Sequence, residues 1–303
     1  MYTRRDIGRL ALGAIPAALR GAMIDSTVSG IHIGLQTYVF TVLGLPQEGL
    51  LDMALRSMVA AGIGECDLFA PLLEPPDLAA RARAAGSDAA ARAAAREELA
   101  GWRRDAPLDY FRGVREKFAA AGVRIWGYSG AGANTEADAG RTFDIAGALG
   151  AELVTLAFGL TAAKRIAPLA EARGVQVGVQ GNPSMNATNA DTIAKPEDYD
   201  AALAISKNYS MSFDIGDATG GGYDSLKFVR ERLGRTSLLY IKDRTRARVS
   251  MPWGQGETPV REVLQAVRDS KAPVRCYIDC DYKSEDRPGD VKRSFEFIKA
   301  ALA

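Results

Sequence analysis

Four apolar runs in the second half of the chain end in residues able to do acid–base or metal chemistry. Ser212-Phe-Asp-Ile-Gly-Asp-Ala-Thr-Gly-Gly-Gly222 carries Asp214 and Asp217. Val274–Cys280 contains Asp279 and runs into Asp281, Val175–Gln180 ends in Gln180, and Ser237–Lys242 ends in Tyr240 and Lys242. Carboxylates so placed either move protons or bind a hard divalent cation such as Mn²⁺ or Mg²⁺ through oxygen. Two carboxylates in one interior repel unless a proton, a lysine or a metal separates them. Lys242 could do this from within the chain; a metal could do it with Asp214 and Asp279 as charged ligands and Gln180 as a neutral one. An ion-pair layer that only closes the fold would use the same residues. The glycines 220–222 are a poor phosphate cradle, because Tyr223 and Asp224 follow instead of a helix start with a basic side chain. They read as a turn ahead of a helix.

Positioning these groups requires a repeating scaffold. Short apolar runs near Ile31–Gln36, Gly64–Phe69, Val123–Tyr128, Glu152–Phe158, Val175–Gln180, Ser210–Ile215, Ser237–Lys242 and Val274–Cys280 predict strands. Amphipathic stretches near 46–61, 106–120, 137–149, 161–173, 196–206, 224–233, 259–269 and 289–302 predict a helix after each. Thr135 with Asp138 forms a capping-box start, Gly150 and Gly174 are C′ glycines, and Pro196 suits a first turn. Eight strands that alternate with helices predict an α/β fold, a (β/α)₈ TIM barrel. A doubly wound sheet is disfavoured, since no strand leads into a GxGxxG helix start.

Side chains of barrel strands alternate between the interior and the helices. Phe213 and Ile215 then face outward and Asp214 inward; Cys276, Ile278 and Cys280 face the helices, and Tyr277, Asp279 and Asp281 the interior. Gln180, Asp214, Tyr240, Lys242 and Asp279 are thus expected to converge at the C-terminal mouth, where barrel enzymes place their sites.

The 303 residues are 47% hydrophobic, enough for one large core, and the net charge of +1 gives no electrostatic reason to expect a nucleic-acid partner. No apolar run is long enough to span a membrane. Three cysteines exclude a disulfide scaffold; Cys276 and Cys280, four apart in one strand, would lie ~13 Å from each other. Residues 1–29 begin with paired arginines, Arg4-Arg5, ahead of a short apolar segment. They read as a twin-arginine-type export signal, predicting an exported, periplasmic protein; without it the protein would be cytoplasmic. Residues 30–303 then form one barrel. An Ala- and Arg-rich segment at about 77–104 is an added helical hairpin, either a solvated ornament or a lid. The one histidine, His32, opens the first barrel strand, far from the mouth, and reads as structural.

At these residues the chain resembles the xylose isomerase-like TIM barrels, the sugar phosphate isomerase/epimerase family, over roughly 31–302. The likeness is carried by Ile33-Gly-Leu-Gln-Thr-Tyr38, Ala146-Gly-Ala-Leu-Gly150, Phe213-Asp-Ile-Gly216, Ile241-Lys-Asp-Arg244 and Trp253-Gly-Gln-Gly-Glu-Thr-Pro259. The resemblance implies a divalent metal at the mouth, with ligand positions that fall on Gln180, Asp214, Tyr240 and Asp279. Asp217 stands where the family usually has a further histidine. It also implies a sugar or keto-sugar ligand, with Lys242, Asp217 and Tyr240 as catalytic groups and Trp253, Glu257, Gln36 and Asn182 against the substrate. In this reading Asp214, Asp279 and Gln180 hold Mn²⁺ or Mg²⁺, Asp217 or Asp279 is the base, and Lys242 polarises a carbonyl oxygen. Two other readings stay open: a non-catalytic sugar-binding pseudoenzyme, and a metal-independent lyase or hydrolase acting on an oxidised glycoside. The last needs Tyr240 as an acid with a pKa lowered by a nearby lysine. A homo-oligomer is compatible with all three.

Overall fold

A computed structural model describes residues 22–45, 47–84, 88–133 and 135–303. A short strand β1 (Thr27–Val28) leads antiparallel into the first barrel strand. Eight parallel strands then close into a barrel: β2 (Ile31–Gln36), β3 (Glu65–Phe69), β4 (Arg124–Ser129), β5 (Leu153–Ala157), β6 (Gln176–Gln180), β7 (Tyr209–Asp214), β8 (Thr236–Ile241) and β9 (Arg275–Ile278). Each pairs with the next, and β9 pairs back onto β2 through Ile33 opposite Cys276. Closure leaves no unpaired barrel edge, so the strands can be buried on both faces.

The main helices are α1 (Leu50–Ala61), α2 (Pro76–Ala84), α3 (Ala89–Asp105), α4 (Leu108–Ala120), α5 (Glu136–Leu149), α6 (Leu160–Arg173), α7 (Pro196–Ile205), α8 (Ile215–Gly220), α9 (Ser225–Arg230), α10 (Val260–Ser270) and α11 (Arg287–Leu302). The expected ends are present: the Thr135–Asp138 capping box starts α5, and Gly150 and Gly174 take the left-handed conformation that ends α5 and α6. Pro196 occupies the first turn of α7. Outward strand residues such as Ile33, Leu35, Val177, Phe213 and Ile241 pack with the inner faces of these helices in one continuous core. Inside the barrel, Trp126, Leu153, Leu238, Tyr240 and Tyr277 form a separate plug. Below it, Glu65 accepts from Arg275 Nε at 2.9 Å and from the Tyr277 hydroxyl at 3.1 Å, while Arg275 stacks on Trp126 at 4.1 Å. His32 lies at this end, 3.6 Å from Glu65, away from the mouth as expected.

Two local features differ from the expectations. The leader expected over 1–29 lies outside the described residues through Gly21, but 22–29 belong to the folded body. Ile24 N–H donates to the Gly122 carbonyl, and the Ser26 hydroxyl donates to Ile33 O at 2.6 Å. The chain crosses the barrel floor there, too close to Gly64 for any larger residue, since a Cβ would meet Ile24 O. The other is SFDIGDATGGG, where an unexpected short helix, α8, precedes the expected turn, which Gly221 and Gly222 form ahead of α9. Asp214 ends β7 and N-caps α8, accepting the Asp217 N–H at 2.9 Å.

The added segment is a helical hairpin, α2 against α3, pinned by Arg81–Glu98 at 2.8 Å. No described residue of it lines the mouth. With α4, α5 and β4 it walls a second cavity of about 240 Å³ lined by Leu73, Trp102, Phe111, Tyr128 and Ile145. Among the described residues no helix is long and apolar enough to cross a membrane.

Candidate functional site at the barrel mouth

The strand ends place a polar cavity of about 420 Å³ at the C-terminal mouth. Its floor follows from register. Gln36 is level with Asp67 and Asp214 with Tyr240, so the polar ends of these side chains meet above the apolar plug. Gln180, Asp214, Tyr240, Lys242 and Asp279 all line this cavity, as the alternation of strand residues predicts, and Gln36, Asn182 and Asp217, singled out through the resemblance, line it too.

Lys242 is the centre of the arrangement. Its Nζ lies 2.8 Å from Asp214, 3.0 Å from Asp279 and 3.0 Å from Asp281, and all four side chains are buried. An ammonium has three donors, so three carboxylates use all of them. Burial alone would lower the lysine pKa; Asp214 and Asp279, then Asp217 and Asp281, raise it well above the ordinary value, so it stays charged. Burial pushes Asp279 up to about 7 and Asp214 to about 6, against the pull of Lys242. Asp281 is also raised by burial, but Lys242, Ser250 and Arg244 together hold it below the ordinary carboxylate value. Arg244 binds Asp217, approaches Asp281 at 3.2 Å and donates to Ser250 at 3.0 Å. Both cations of the mouth are thus fully engaged with acids of the mouth.

Tyr240 points inward and donates to Asp67, a fully buried carboxylate that also accepts from Gln36 at 3.4 Å. Burial raises Asp67 to about 7, with the Tyr240 and Ser129 hydroxyls opposing. The same environment corrects the expectation for Tyr240. Burial and the Asp67 charge push its phenol well above the ordinary value, so Lys242 does not make it a stronger acid.

Lys242 likewise holds carboxylates in place, and no donor is left to polarise a carbonyl. Trp253 and Glu257 are absent from the cavity lining. The indole packs edge-on against Phe297 of α11 at 5.8 Å, and Glu257 accepts the Arg246 N–H at 2.7 Å. Their loop is fixed by Asp243, whose carboxylate accepts N–H groups of Gly254 at 2.8 Å, Gly256 at 2.9 Å and Thr258 at 3.2 Å. The motifs IKDR and WGQGETP are therefore two halves of one clamp beside the site.

The donor set expected for Mn²⁺ or Mg²⁺, Asp214, Asp279 and Gln180, does not fit a divalent ion as it stands. The place between the two carboxylates is taken by the Lys242 ammonium, and the Tyr240 phenol is committed to Asp67. Among the described residues no group of three or more His, Cys, Asp or Glu side chains is arranged to hold a metal.

Asp281, expected inward with Asp279, lines the mouth; Asp67, Arg244 and Tyr38 also line or support it, and the sequence pattern alone assigns them no role there. Asp67 had a signal: Glu65 and Asp67 alternate with Cys66 and Leu68, the same inward parity that singles out Asp214 and Asp279. Cys66, Cys276 and Cys280 are buried free thiols on the helix-facing side.

Fold and site together define a (β/α)₈ barrel with an acid-rich mouth whose two cations are both paired with acids. Solved structures agree on the fold. A sugar phosphate isomerase/epimerase from Parabacteroides distasonis superposes with a TM-score of 0.59 at 18% identity, over 95% of this chain and 100% of that one. A xylose isomerase domain protein from Planctomyces limnophilus gives 0.60 at 12% identity, over 90% and 96%. D-allulose 3-epimerase from Methylomonas sp., in complex with D-allulose, gives 0.59 at 13% identity, over 93% and 100%. No family model and no curated protein matches the sequence. The chain shares the (β/α)₈ barrel fold of these structures.

Proposed function

We propose that the protein binds an uncharged sugar or keto-sugar at the mouth and moves a proton at the carbon beside its carbonyl, an isomerase- or epimerase-type reaction. One observation carries this reading. Both cations of the mouth, Lys242 and Arg244, are paired with its acids, whereas the Gln180 and Asn182 amides and the Tyr38 hydroxyl line the cavity without a hydrogen bond to another described residue. Neutral donors and acceptors around a polar cavity suit hydroxyl and carbonyl groups. A phosphate ester would bring two further negative charges to a cavity with four aspartates, and neither cation is unpaired to receive them.

In this reading Asp279, which lines the cavity and has its pKa near neutrality, is the base. It takes the proton, and the electron pair of the broken C–H bond moves onto the carbonyl oxygen, which the Gln180 and Asn182 amides and the Tyr38 hydroxyl stabilise. Return of a proton to the opposite face gives the epimer, and return to the former carbonyl carbon gives the isomer. Asp217, tied to Arg244 and more exposed, is placed to exchange the second proton with solvent. The same first step on an oxidised glycoside would lead to elimination of the aglycone.

The fully engaged Lys242 also favours a second reading, a sugar-binding protein without turnover. The two separate by experiment. Ketoses, aldoses and 3-keto-glycosides are incubated with the protein in D₂O, and deuterium at the carbon beside the carbonyl is read by mass spectrometry. Incorporation abolished by Asp279→Asn supports the first; saturable binding without incorporation supports the second. Failure to bind any uncharged sugar sinks both. The paired-arginine leader supports export of the folded chain, which fractionation of an Arg4→Lys, Arg5→Lys double variant tests.

A further inference from the structure

The helical hairpin does not seal onto the barrel. Where α3 packs on α5, Ala100, Ala131, Gly132 and Ala137 line the gap, and side chains this small leave a cavity of about 240 Å³ in an otherwise close-packed body. Among the described residues it shares only Ala131 with the mouth. Aromatic rings dominate its walls: Trp102 and Phe111, edge-to-face at 6.1 Å, and Tyr128 of β4. The charged groups of the wall are unevenly matched. Buried Glu74 accepts from Arg103 Nε at 2.7 Å, Arg104 lies 3.3 Å from Glu97, and Asp138 is engaged in the capping box of α5. Arg141 pairs with no carboxylate among the described residues. Its Nε donates to Arg103 O at 2.9 Å and its Nη2 to Ala106 O, so two of its five N–H donors are used and three are free. The buried Trp102 indole N–H has no partner either, and the Tyr128 hydroxyl bonds to no described residue.

We propose that this cavity is a second ligand site, apart from the mouth, for a small aromatic monocarboxylate: the ring packs among Trp102, Phe111 and Tyr128, and the carboxylate pairs with Arg141. An unpaired, half-buried guanidinium beside apolar walls calls for an anion, and a planar carboxylate matches its fork of N–H donors. Rings that meet edge-to-face favour another ring between them. An apolar cavity of ~150 Å³ takes up benzene, so this one has room for a ring and one carboxylate. Glu74 and Asp138 in the same wall disfavour a second negative charge. Arg104 and Ala137, both exposed, leave a way in from solvent. This inference stands whether or not the mouth binds a sugar.

The test is titration of the full-length protein with benzoate and with benzamide, its uncharged counterpart of the same shape. Binding is followed by calorimetry and by the indole N–H resonance of Trp102 in isotope-labelled protein, which Trp102→Phe identifies. Benzoate should saturate one site with a Kd of about 10⁻³ M or tighter, as a ligand of this size can reach, and should shift the Trp102 resonance. It should bind at least ~10-fold more tightly than benzamide, the contribution of a charge-assisted hydrogen bond. Arg141→Gln should bring benzoate down to the level of benzamide, and Arg141→Lys should restore part of the difference. Ala100→Phe fills the cavity, leaves Arg141 in place and should abolish binding of both; it decides the matter alone if Arg141→Gln does not fold. No saturable benzoate binding, or equal affinity for benzoate and benzamide, would overturn the proposal. So would benzoate binding that survives Ala100→Phe, since the anion would then sit elsewhere.

Discussion

Lys242 Nζ and Asp214 Oδ2 lie 2.8 Å apart at the floor of the mouth, with 6% and 5% of their side chains exposed. A buried pair of this kind is strongly asymmetric to mutation, because removing one partner leaves the other charge without compensation. Lys242→Met should therefore destabilise the protein by about 3–5 kcal/mol at neutral pH, by analogy with other broken buried pairs. Asp214→Asn should cost less, since Asp279 and Asp281 still hold the lysine. Urea unfolding of both variants gives the comparison, and equal losses would contradict the three-acid arrangement.

Asp279 fixes the pH dependence expected of any proton exchange. Its carboxyl, raised to about 7 and linked through Lys242 to Asp214 at about 6, must be ionised to accept a proton. The exchange rate should thus rise with pH through an apparent pKa between these values, which belongs to the pair. In Asp279→Asn the limb should vanish and the rate fall at least ~100-fold. A rate profile flat from pH 5 to 8 would remove Asp279 from the role of base.

Asp67 should give a separable stability signature. Its pKa is about 7 in the fold and near 3.8 unfolded, so between these pH values the native state binds more protons than the unfolded state. The sign follows: stability contributed by protonated Asp67 is present at low pH and is lost as pH rises toward 7. Its contribution to the slope is at most about 1.4 kcal/mol per pH unit. Asp67→Asn, which keeps an acceptor for Tyr240, should flatten the stability curve between pH 4 and 7. Chemical denaturation at several pH values would show whether the slope changes.

Asp243 accepts three backbone N–H groups from the WGQGETP loop, so Asp243→Ala would leave three donors to be resatisfied by water. A loss of about 2–4 kcal/mol is expected, given the value of hydrogen bonds to a charged acceptor. Hydrogen exchange should speed up at Gly254, Gly256 and Thr258 while the strands stay protected. Protection unchanged at those amides would show that the loop is held by Trp253 packing alone.

Ligand selectivity tests the charge balance of the mouth directly. An uncharged ketose should bind at least ~10-fold more tightly than its phosphate ester, because each like charge in a partly desolvated site is unfavourable. Calorimetric titration with the matched pair measures this, and preference for the ester would require an unpaired cation that the mouth lacks among its described residues.

Much of this protein is legible in its sequence because it depends on local periodicity. Apolar runs, Gly150, Gly174, Pro196 and the Thr135 capping box place the strands and helices nearly where they form, and a barrel follows from their alternation. Period-two alternation also gives direction, which is why parity alone assigns Asp214, Asp279, Tyr240 and Lys242 to the interior. The same alternation in Glu65-Cys-Asp-Leu-Phe69 carries Asp67. Trp253 and Glu257 fall elsewhere than expected because loop residues carry no such period; their positions depend on Asp243, a distant capping carboxylate. Only the tertiary structure decided what fills the space between the carboxylates. Sequence allowed a metal or a lysine there with equal chemistry. The choice rests on strand register, which sets Asp214 opposite Tyr240 and Tyr277 with Lys242 and Asp279 each two residues further toward the mouth, and on Gly216, whose missing side chain leaves room for the Lys242 stem to run toward the acids.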